Sequence, residues 1–232
     1  MGIRDGIPIG LGYLSVSFAF GIFAVGSGLS VWQTVLISML NLTSAGQLAG
    51  VPIIAGGGSL VELAMTQLVI NLRYSLMSVS LSQRLGESVR LPDRFIISYA
   101  NTDEVFAIAS GRGQALGRRY LYGLIIPPPI GWTVGTLLGA VCGNILPVIL
   151  TAALGIAIYA MFVAIVVPVI KTNVKAAMAV FVAILLSCLF NYTPVLNKIP
   201  SGFVIIICAV VTSVIFALVA PIPDDEEACE NE

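Results

Sequence analysis

The sequence predicts an all-α, polytopic membrane protein organised as a single transmembrane domain over residues 1–232. Of these residues 58% are hydrophobic and only 10% are charged, whereas soluble domains are about 45–50% apolar and about 25% charged. The mean hydropathy is +1.01. The apolar residues come in runs of about 20, the length that a helix needs to cross the hydrocarbon core. This composition excludes a soluble globular enzyme.

About seven stretches have the length of a transmembrane helix: 7–26, 31–54, 60–81, 120–141, 146–170, 176–193 and 202–221. An acidic tail follows at 224–232, and residues 82–119 form a polar belt between the third and fourth spans. We expect its half-apolar piece, 95–111, to be re-entrant or interfacial, because Asp103 and Glu104 make a full crossing costly.

Basic residues favour the cytoplasmic side of a membrane protein. If the belt is cytoplasmic, its six arginines lie inside together with Lys171 and Lys175, against only Arg4 and Lys198 outside. This bias predicts an external N-terminus and an internal acidic tail. A full crossing by 95–111 would give eight spans and move the N-terminus inside.

The first three spans resemble the next three, which predicts a 3+3 repeat over 7–81 and 120–193 with 202–221 as an additional helix. Pro8-Ile9-Gly10 opens the first span, Pro129-Ile130-Gly131 lies early in the fourth, and Val-Pro closes the second and fifth. An odd number of spans per half makes the halves inverted, as in many secondary transporters. The alternative is chance, since Pro and Gly are common in membrane helices. Helix breaks are expected at Pro8, Gly46, Gly50, Pro52, Pro129 and Pro168.

The second half of the second span is unusually polar for membrane depth. Asn41, Thr43, Ser44 and Gln47 compete with the helix for hydrogen bonds, and glycines loosen it further. We expect a broken helix whose polar groups bind substrate in a cavity. The alternative is a packing face whose side chains bond to neighbouring helices.

The third span adds Asn71, Arg73 and Tyr74 as candidate substrate ligands. Arg73 lies about halfway along the span, where a charge needs a partner or a function. A guanidinium fits a carboxylate bidentately, so we expect Arg73 to bind a substrate carboxylate. The alternative is an ion pair with Asp103 or Glu104.

The chain has no histidine, so carboxylates are the side chains left to relay protons near neutral pH. Asp103, Glu104 and Glu62 are the candidates for proton coupling or for holding a substrate ammonium; the alternative for the first two is a solvated loop. No metal site or other cofactor is expected. A net charge of −1 gives no reason to expect a nucleic-acid partner.

Four motifs together resemble the AzlC family, the large subunits of bacterial branched-chain amino acid exporters. They are residues 4–13, 44–47, 71–74 and 102–106, and the resemblance extends to about residue 220. It implies proton-coupled export of leucine, isoleucine, valine and similar amino acids across the bacterial cytoplasmic (inner) membrane. It also implies a small AzlD-type partner subunit, within a complex that could itself be homo-oligomeric. Tyr74 departs from the family, in which His is frequent at this position.

The function expected from the sequence is therefore that of a secondary transporter subunit. Two alternatives stay open: a permease for another small zwitterion or organic acid, and a membrane assembly subunit with no pathway of its own. An intramembrane enzyme is disfavoured, because the sequence has no Gly-x-Ser-x-Gly elbow and no acidic cluster within the spans.

Overall fold

The computed structural model describes residues 2–112, 115–143, 173–194 and 196–219, with isolated positions between 163 and 171. Within these residues the regular structure is helical, apart from a single bridge between Leu85 and Leu116. The helices are α1 (Gly2–Gly26), α2 (Val31–Leu40), α3 (Ser44–Ala55), α4 (Leu60–Ser82), α5 (Leu91–Tyr99), α6 (Asp103–Ser110), α7 (Arg118–Ile125), α8 (Pro127–Cys142), α9 (Val174–Tyr192) and α10 (Ser201–Val219).

Within the described residues, four helices are long and apolar enough to cross a membrane: α1, the joined α7–α8, α9 and α10. Helix α4 has 23 residues but carries Glu62 and Arg73. The chain is thus a multi-pass membrane protein. The expected span 146–170 lies almost wholly outside the described residues, so the second half of the repeat is described only in part.

Helix α1 packs along α7–α8 in the same direction, through glycines. Gly2 approaches Tyr120, Gly10 approaches Gly131, and a Cβ on Gly139 would lie 1.9 Å from the Phe18 carbonyl oxygen, so only glycine fits there. The N-terminus therefore lies beside the polar belt, which corrects the expectation that it lies opposite. The parallel packing also contradicts an inverted relation between the first and fourth spans. We call the end formed by 2–6, 82–94, 110–112 and 115–120 the basic end, and the opposite end of the bundle the far end.

Helices α2 and α3 form a hairpin that enters from the far end. Helix α2 follows the far end of α1, while α4 meets the basic end at its C-terminus, where the Leu116 N–H donates to the Arg84 carbonyl. Helix α4 therefore starts at the far end, and α3 must finish there too. Val51 of α3 accordingly packs with Ala24 and Leu29. The expected span 31–54 is thus not a crossing, because the chain turns back at residues 41–43.

The break in this hairpin depends on capping and not on glycine or proline. Asn41 and Thr43 are extended, and the Thr43 hydroxyl accepts from the Gly46 N–H to start α3.

The expected breaks at Pro8, Gly46, Gly50 and Pro52 are wrong, because these residues lie inside continuous helices. Pro129 lies in the first turn of α8, after the interruption at Ile126, and Pro168 is outside the described residues. Gly46 serves close packing instead, since a Cβ there would lie 2.6 Å from the Gln67 side-chain oxygen.

Helices α5 and α6 form a second hairpin, which enters from the basic end. Its base is held there by Arg84, which donates to the Ser110 carbonyl at the end of α6. Its tip, residues 100–102, lies beside α4, where Asp103 meets Arg73. About 14 Å of helix separates Arg73 from the end of α4 at Ser82. The segment 95–111 therefore lies in a hairpin that leaves the basic end and returns to it, and it does not cross the bundle.

The two hairpins meet tip to tip near the middle of the bundle, where the Tyr99 hydroxyl donates to the Met39 carbonyl. The main apolar core lies behind the second hairpin, with Val105, Leu121 and Leu124 fully buried. Each tip ends one helix and starts another, so four helix termini converge at the depth of Arg73.

Candidate functional site

A cavity of about 220 Å³ lies between the two hairpin tips and α4. The first tip contributes Leu40, Asn41, Leu42 and Thr43, α4 contributes Asn71 and Tyr74, and the second tip contributes Ser98, Tyr99 and Asn101. Most of these side chains are neutral and polar. A polar cavity at broken helices near the bilayer midplane is where secondary transporters hold their substrates.

Gln47 fixes the shape of the first tip. It is 1% exposed, and its amide nitrogen donates to the Asn41 carbonyl over 2.6 Å. Its amide oxygen accepts from the Trp132 indole N–H at 3.1 Å. Since the indole can only donate and the carbonyl can only accept, the orientation of this amide is determined by its partners. Gln47 thus ties the break to α8 from behind the cavity wall.

Gln67 fixes the polar side chains on the cavity wall in the same way. Its amide nitrogen donates to the Gly46 carbonyl over 2.7 Å, which leaves its oxygen to accept from Asn41 at 3.3 Å and from Asn71 at 3.2 Å. Asn71 must therefore direct its amide nitrogen at Gln67. The Asn71 amide oxygen is buried without a hydrogen-bond partner among the described residues.

Asn101 presents a second acceptor of this kind from the opposite tip. It is 3% exposed, its amide nitrogen donates to the Ser78 hydroxyl over 3.0 Å, and its amide oxygen has no partner in the described part of the chain. A buried acceptor left unsatisfied costs about 1–3 kcal/mol. Both residues line the same cavity, so a bound ligand with N–H donors could satisfy these buried oxygens once the side chains turn toward it.

A second, apolar cavity of about 250 Å³ adjoins the first in the opening between α2, α3 and α4. The two cavities share Leu40 and Asn41. Gly50 opens this space, since a Cβ there would lie 3.2 Å from the Gln67 side-chain nitrogen and 3.4 Å from a Leu63 methyl. A polar compartment beside an apolar one fits a small molecule with a charged head and an aliphatic side chain.

Arg73 is paired within the protein. Its guanidinium lies 2.9 Å from the Asp103 carboxylate, and both side chains are 47% exposed. It also donates to the Tyr74 hydroxyl over 3.1 Å and stacks over the Tyr74 ring. This is the ion pair that the sequence left open as the alternative. Arg73 does not line the cavity, so the structure does not place it against a substrate carboxylate.

The other two acidic candidates lie apart from each other. Glu104 is next to Asp103 and accepts a hydrogen bond from the Tyr13 hydroxyl of α1. Glu62 is at the far end, where it is 4% exposed and accepts from the Gly202 N–H over 2.9 Å. Glu62 and Arg73 are separated by about 16 Å of helix. Within the described residues, no group of three or more His, Cys, Asp or Glu could hold a metal ion.

Of the expected substrate ligands, Asn41, Thr43, Asn71 and Tyr74 line one cavity. Gln47 supports it from behind, and Ser44 lies in the first turn of α3. Sequence reasoning missed Tyr99 and Asn101 as lining residues. A signal for Asn101 was available, because Asn precedes a capping Thr at both tips, as Asn41-Leu42-Thr43 and as Asn101-Thr102.

Comparison with known proteins agrees with the assignment as a multi-pass membrane protein. The family model described as AzlC protein matches residues 8–146, which include both hairpins and the cavity. The inner membrane protein YgaZ of Escherichia coli strain K12 is 29% identical over 141 residues, 59% of this chain and 58% of that protein. An uncharacterized membrane protein of Archaeoglobus fulgidus is 31% identical over 137 residues, 59% of each chain.

A third relative, an uncharacterized membrane protein of Helicobacter pylori, is 24% identical over 136 residues, 57% of this chain and 58% of that protein. The matched region thus spans less than two thirds of the length of these relatives. No solved structure matches the chain.

Proposed function

The chain belongs to the AzlC family, a family of the membrane-transporter type, and from this premise we propose that it is a secondary transporter subunit exporting branched-chain or related hydrophobic amino acids. The observation that carries the proposal is the pair of buried, unsatisfied amide oxygens on Asn71 and Asn101, two residues that line a cavity between two broken hairpins. Such acceptors suit the ammonium group of an amino acid.

The two adjoining cavities suit the rest of the molecule. The carboxylate would lie at the first tip, near the Thr43 hydroxyl and the start of α3, because the N-terminus of a helix carries partial positive charge. The aliphatic side chain would occupy the apolar cavity beside Gly50. A charged amino-acid side chain would be poorly solvated there, which favours neutral substrates.

Proton coupling would use the ionisable groups at the second tip. Asp103 and Glu104 both contact residues of other helices, Arg73 of α4 and Tyr13 of α1. Protonation of either carboxylate would weaken its contact and free the tip to move. Proton binding would thereby be coupled to the opening of the cavity to substrate. Glu62, bonded to α10, is the remaining candidate. We further propose that the transporter works with a small AzlD-type membrane subunit, within a complex that could itself be homo-oligomeric.

Counterflow of labelled leucine in proteoliposomes tests the proposal, with this chain alone and with the small partner subunit added. Valine, methionine, lysine and glutamate serve as competitors. We expect flux that valine and methionine inhibit and that lysine and glutamate do not. Flux of a labelled organic acid but not of labelled leucine would favour a permease for such acids. No flux from a folded complex would favour an assembly subunit.

The variant that addresses the cavity directly is Asn71→Leu. It removes one ammonium acceptor, so the half-saturating leucine concentration should rise about tenfold, within the range expected for a lost hydrogen bond to a charged group. The matched control is Asn191→Leu, which makes the same change at an exposed position near the end of α9. Equal affinities for Asn71→Leu and the native chain would contradict this placement of the substrate.

A further inference from the structure

The basic end of the bundle contains a further cavity, separate from the two that the transport proposal uses. Its volume is about 650 Å³. It is bordered by Arg90, Arg118 and Arg119, with Glu87, Ser88, Gly117 and Tyr120 completing the wall. Three arginines border one open space together with a single acidic residue, Glu87, which indicates an anion as the occupant.

We propose that this cavity binds the phosphate headgroup of an anionic phospholipid. Arginine recognises phosphate oxygens through paired, charge-assisted N–H donors. Gly117 and the first turn of α7 also border the cavity, so the positive end of the helix dipole adds to the field of the arginines.

The surrounding charges favour an anion in the same place. The basic end holds seven arginines and three carboxylates. Two of those carboxylates already have basic partners, since Asp93 lies 2.9 Å from Arg118 and Asp5 lies 3.8 Å from Arg112. The end therefore keeps a positive potential, which attracts anionic lipid surfaces.

The position of the cavity distinguishes a lipid from a dissolved anion. The membrane-crossing helix α7–α8 begins at Arg118, so the cavity opens where this helix enters the bilayer. Basic pockets between transmembrane helices at this depth hold anionic headgroups. An anchored headgroup would tie the base of the second hairpin to α7, because Arg90 precedes α5 and Arg119 lies in α7.

Arg90→Gln with Arg119→Gln is the test variant. Arg118 is left unchanged because it pairs with the buried Asp93. The full chain is titrated in neutral-lipid nanodiscs with phosphatidylglycerol, with phosphatidylcholine of the same acyl chains and with inorganic phosphate, and binding is followed by native mass spectrometry. We expect phosphatidylglycerol to bind best and the double variant to lose about 25-fold in affinity, about fivefold per arginine.

Arg94→Gln is the matched control, because Arg94 is exposed on α5 but does not border this cavity. An equal loss in the control would overturn the proposal in favour of diffuse surface charge. Saturation by inorganic phosphate with no preference for the lipid would also overturn it. If the double variant folds poorly, Arg90→Lys with Arg119→Lys keeps the charge and should bind phosphatidylglycerol more weakly than the native chain but still in preference to phosphatidylcholine. Equal binding of the two lipids by this variant, with folding intact, would overturn the proposal. None of these outcomes depends on amino-acid transport.

Discussion

The two hairpin tips that enclose the central cavity differ in how they are held. The first tip, at residues 41–43, is fixed by neutral amides, since Gln47 and Gln67 bond to backbone carbonyls and to Trp132. The second tip is held to the rest of the bundle by ionisable groups as well, through the Arg73–Asp103 pair and the Tyr13–Glu104 hydrogen bond.

This difference suggests a division of labour. Buried amide networks are costly to break, because each opened group is left unsatisfied. An ion pair differs from such a network, because protonation of the carboxylate removes its charge and with it the attraction to the guanidinium. We therefore expect the first hairpin to be a fixed wall of the site and the second to be the part that moves when protons or substrate bind.

The largest effect is expected from Gln47→Leu, which breaks the fixed wall. The substitution leaves the Asn41 carbonyl and the Trp132 indole without their partner, and each loss costs about 1–3 kcal/mol. We expect the free energy of unfolding in detergent to fall by about 3 kcal/mol and leucine flux to be lost. Gln83→Leu, at an exposed position, is the control. Normal stability and flux in Gln47→Leu would show that the first tip is not held in this way.

A smaller effect on stability but a clear effect on flux is expected for the ion pair. Arg73→Gln and Asp103→Asn should each lower the free energy of unfolding by less than Gln47→Leu does, because both side chains are half exposed and Gln47 is buried. Each should slow flux about tenfold, equivalent to about 1.4 kcal/mol in the barrier. The double variant should be no slower than either single one, because both remove the same contact.

The same pair of variants separates two roles for Arg73. If Arg73 binds the substrate carboxylate, Arg73→Gln alone should raise the half-saturating leucine concentration, and Asp103→Asn should not. If the Arg73–Asp103 pair instead controls the opening of the cavity, both variants should lower the maximal rate alike. Arg112→Gln, which removes the contact with Asp5 at the basic end, should leave flux unchanged.

The sequence predicted the first tip better than the path that the chain takes to it. Polar side chains at membrane depth marked Asn41, Thr43 and Gln47 as unusual, and the break is present there. The return of the chain to the far end could not be predicted, because 24 mostly apolar residues have the length of a crossing helix. The fold reveals that the stretch doubles back, since Val51 shares an apolar cluster with Ala24 and Leu29.

The second tip was harder to anticipate for a related reason. Asn101 meets its partner Ser78 on another helix, and no sequence spacing encodes that meeting. The expected helix breaks failed because the sequence does not say whether a glycine loosens a helix or lets another chain approach. At Gly46 the glycine lets another part of the chain approach, since the Gln67 side chain lies against it.

Gly50→Ala should narrow the apolar cavity on the fixed side without disturbing the mobile tip. The added methyl would meet Gln67 and Leu63 and reduce the space for a long side chain. We expect leucine flux to fall about tenfold relative to alanine flux, which is the discrimination that an apolar pocket achieves for about one methylene group. Gly12→Ala is the control, because no atom lies within 4 Å of a Cβ at that position. An equal decline for both substrates would mean that the cavity does not hold the side chain.

The smallest effect concerns the base of the mobile hairpin and depends on pH. The backbone N–H of Arg90 holds the pKa of Asp93 below its usual range, and the Tyr122 hydroxyl and Arg118 guanidinium act in the same direction. Because the folded pKa is below the unfolded value of about 3.9, the stabilisation is present above that value. It is lost as the pH falls through the lowered folded pKa.

Hydrogen exchange at stepped pH measures this effect on each hairpin separately. Below about pH 4, exchange in residues 91–110 should rise more than in residues 44–55, because Asp93 anchors only the second hairpin. Asp93→Asn should raise exchange at 91–110 already at neutral pH and flatten its pH dependence, whereas Glu87→Gln, at an exposed position nearby, should not. Equal acid sensitivity of the two hairpins would contradict the distinction between a fixed and a mobile hairpin.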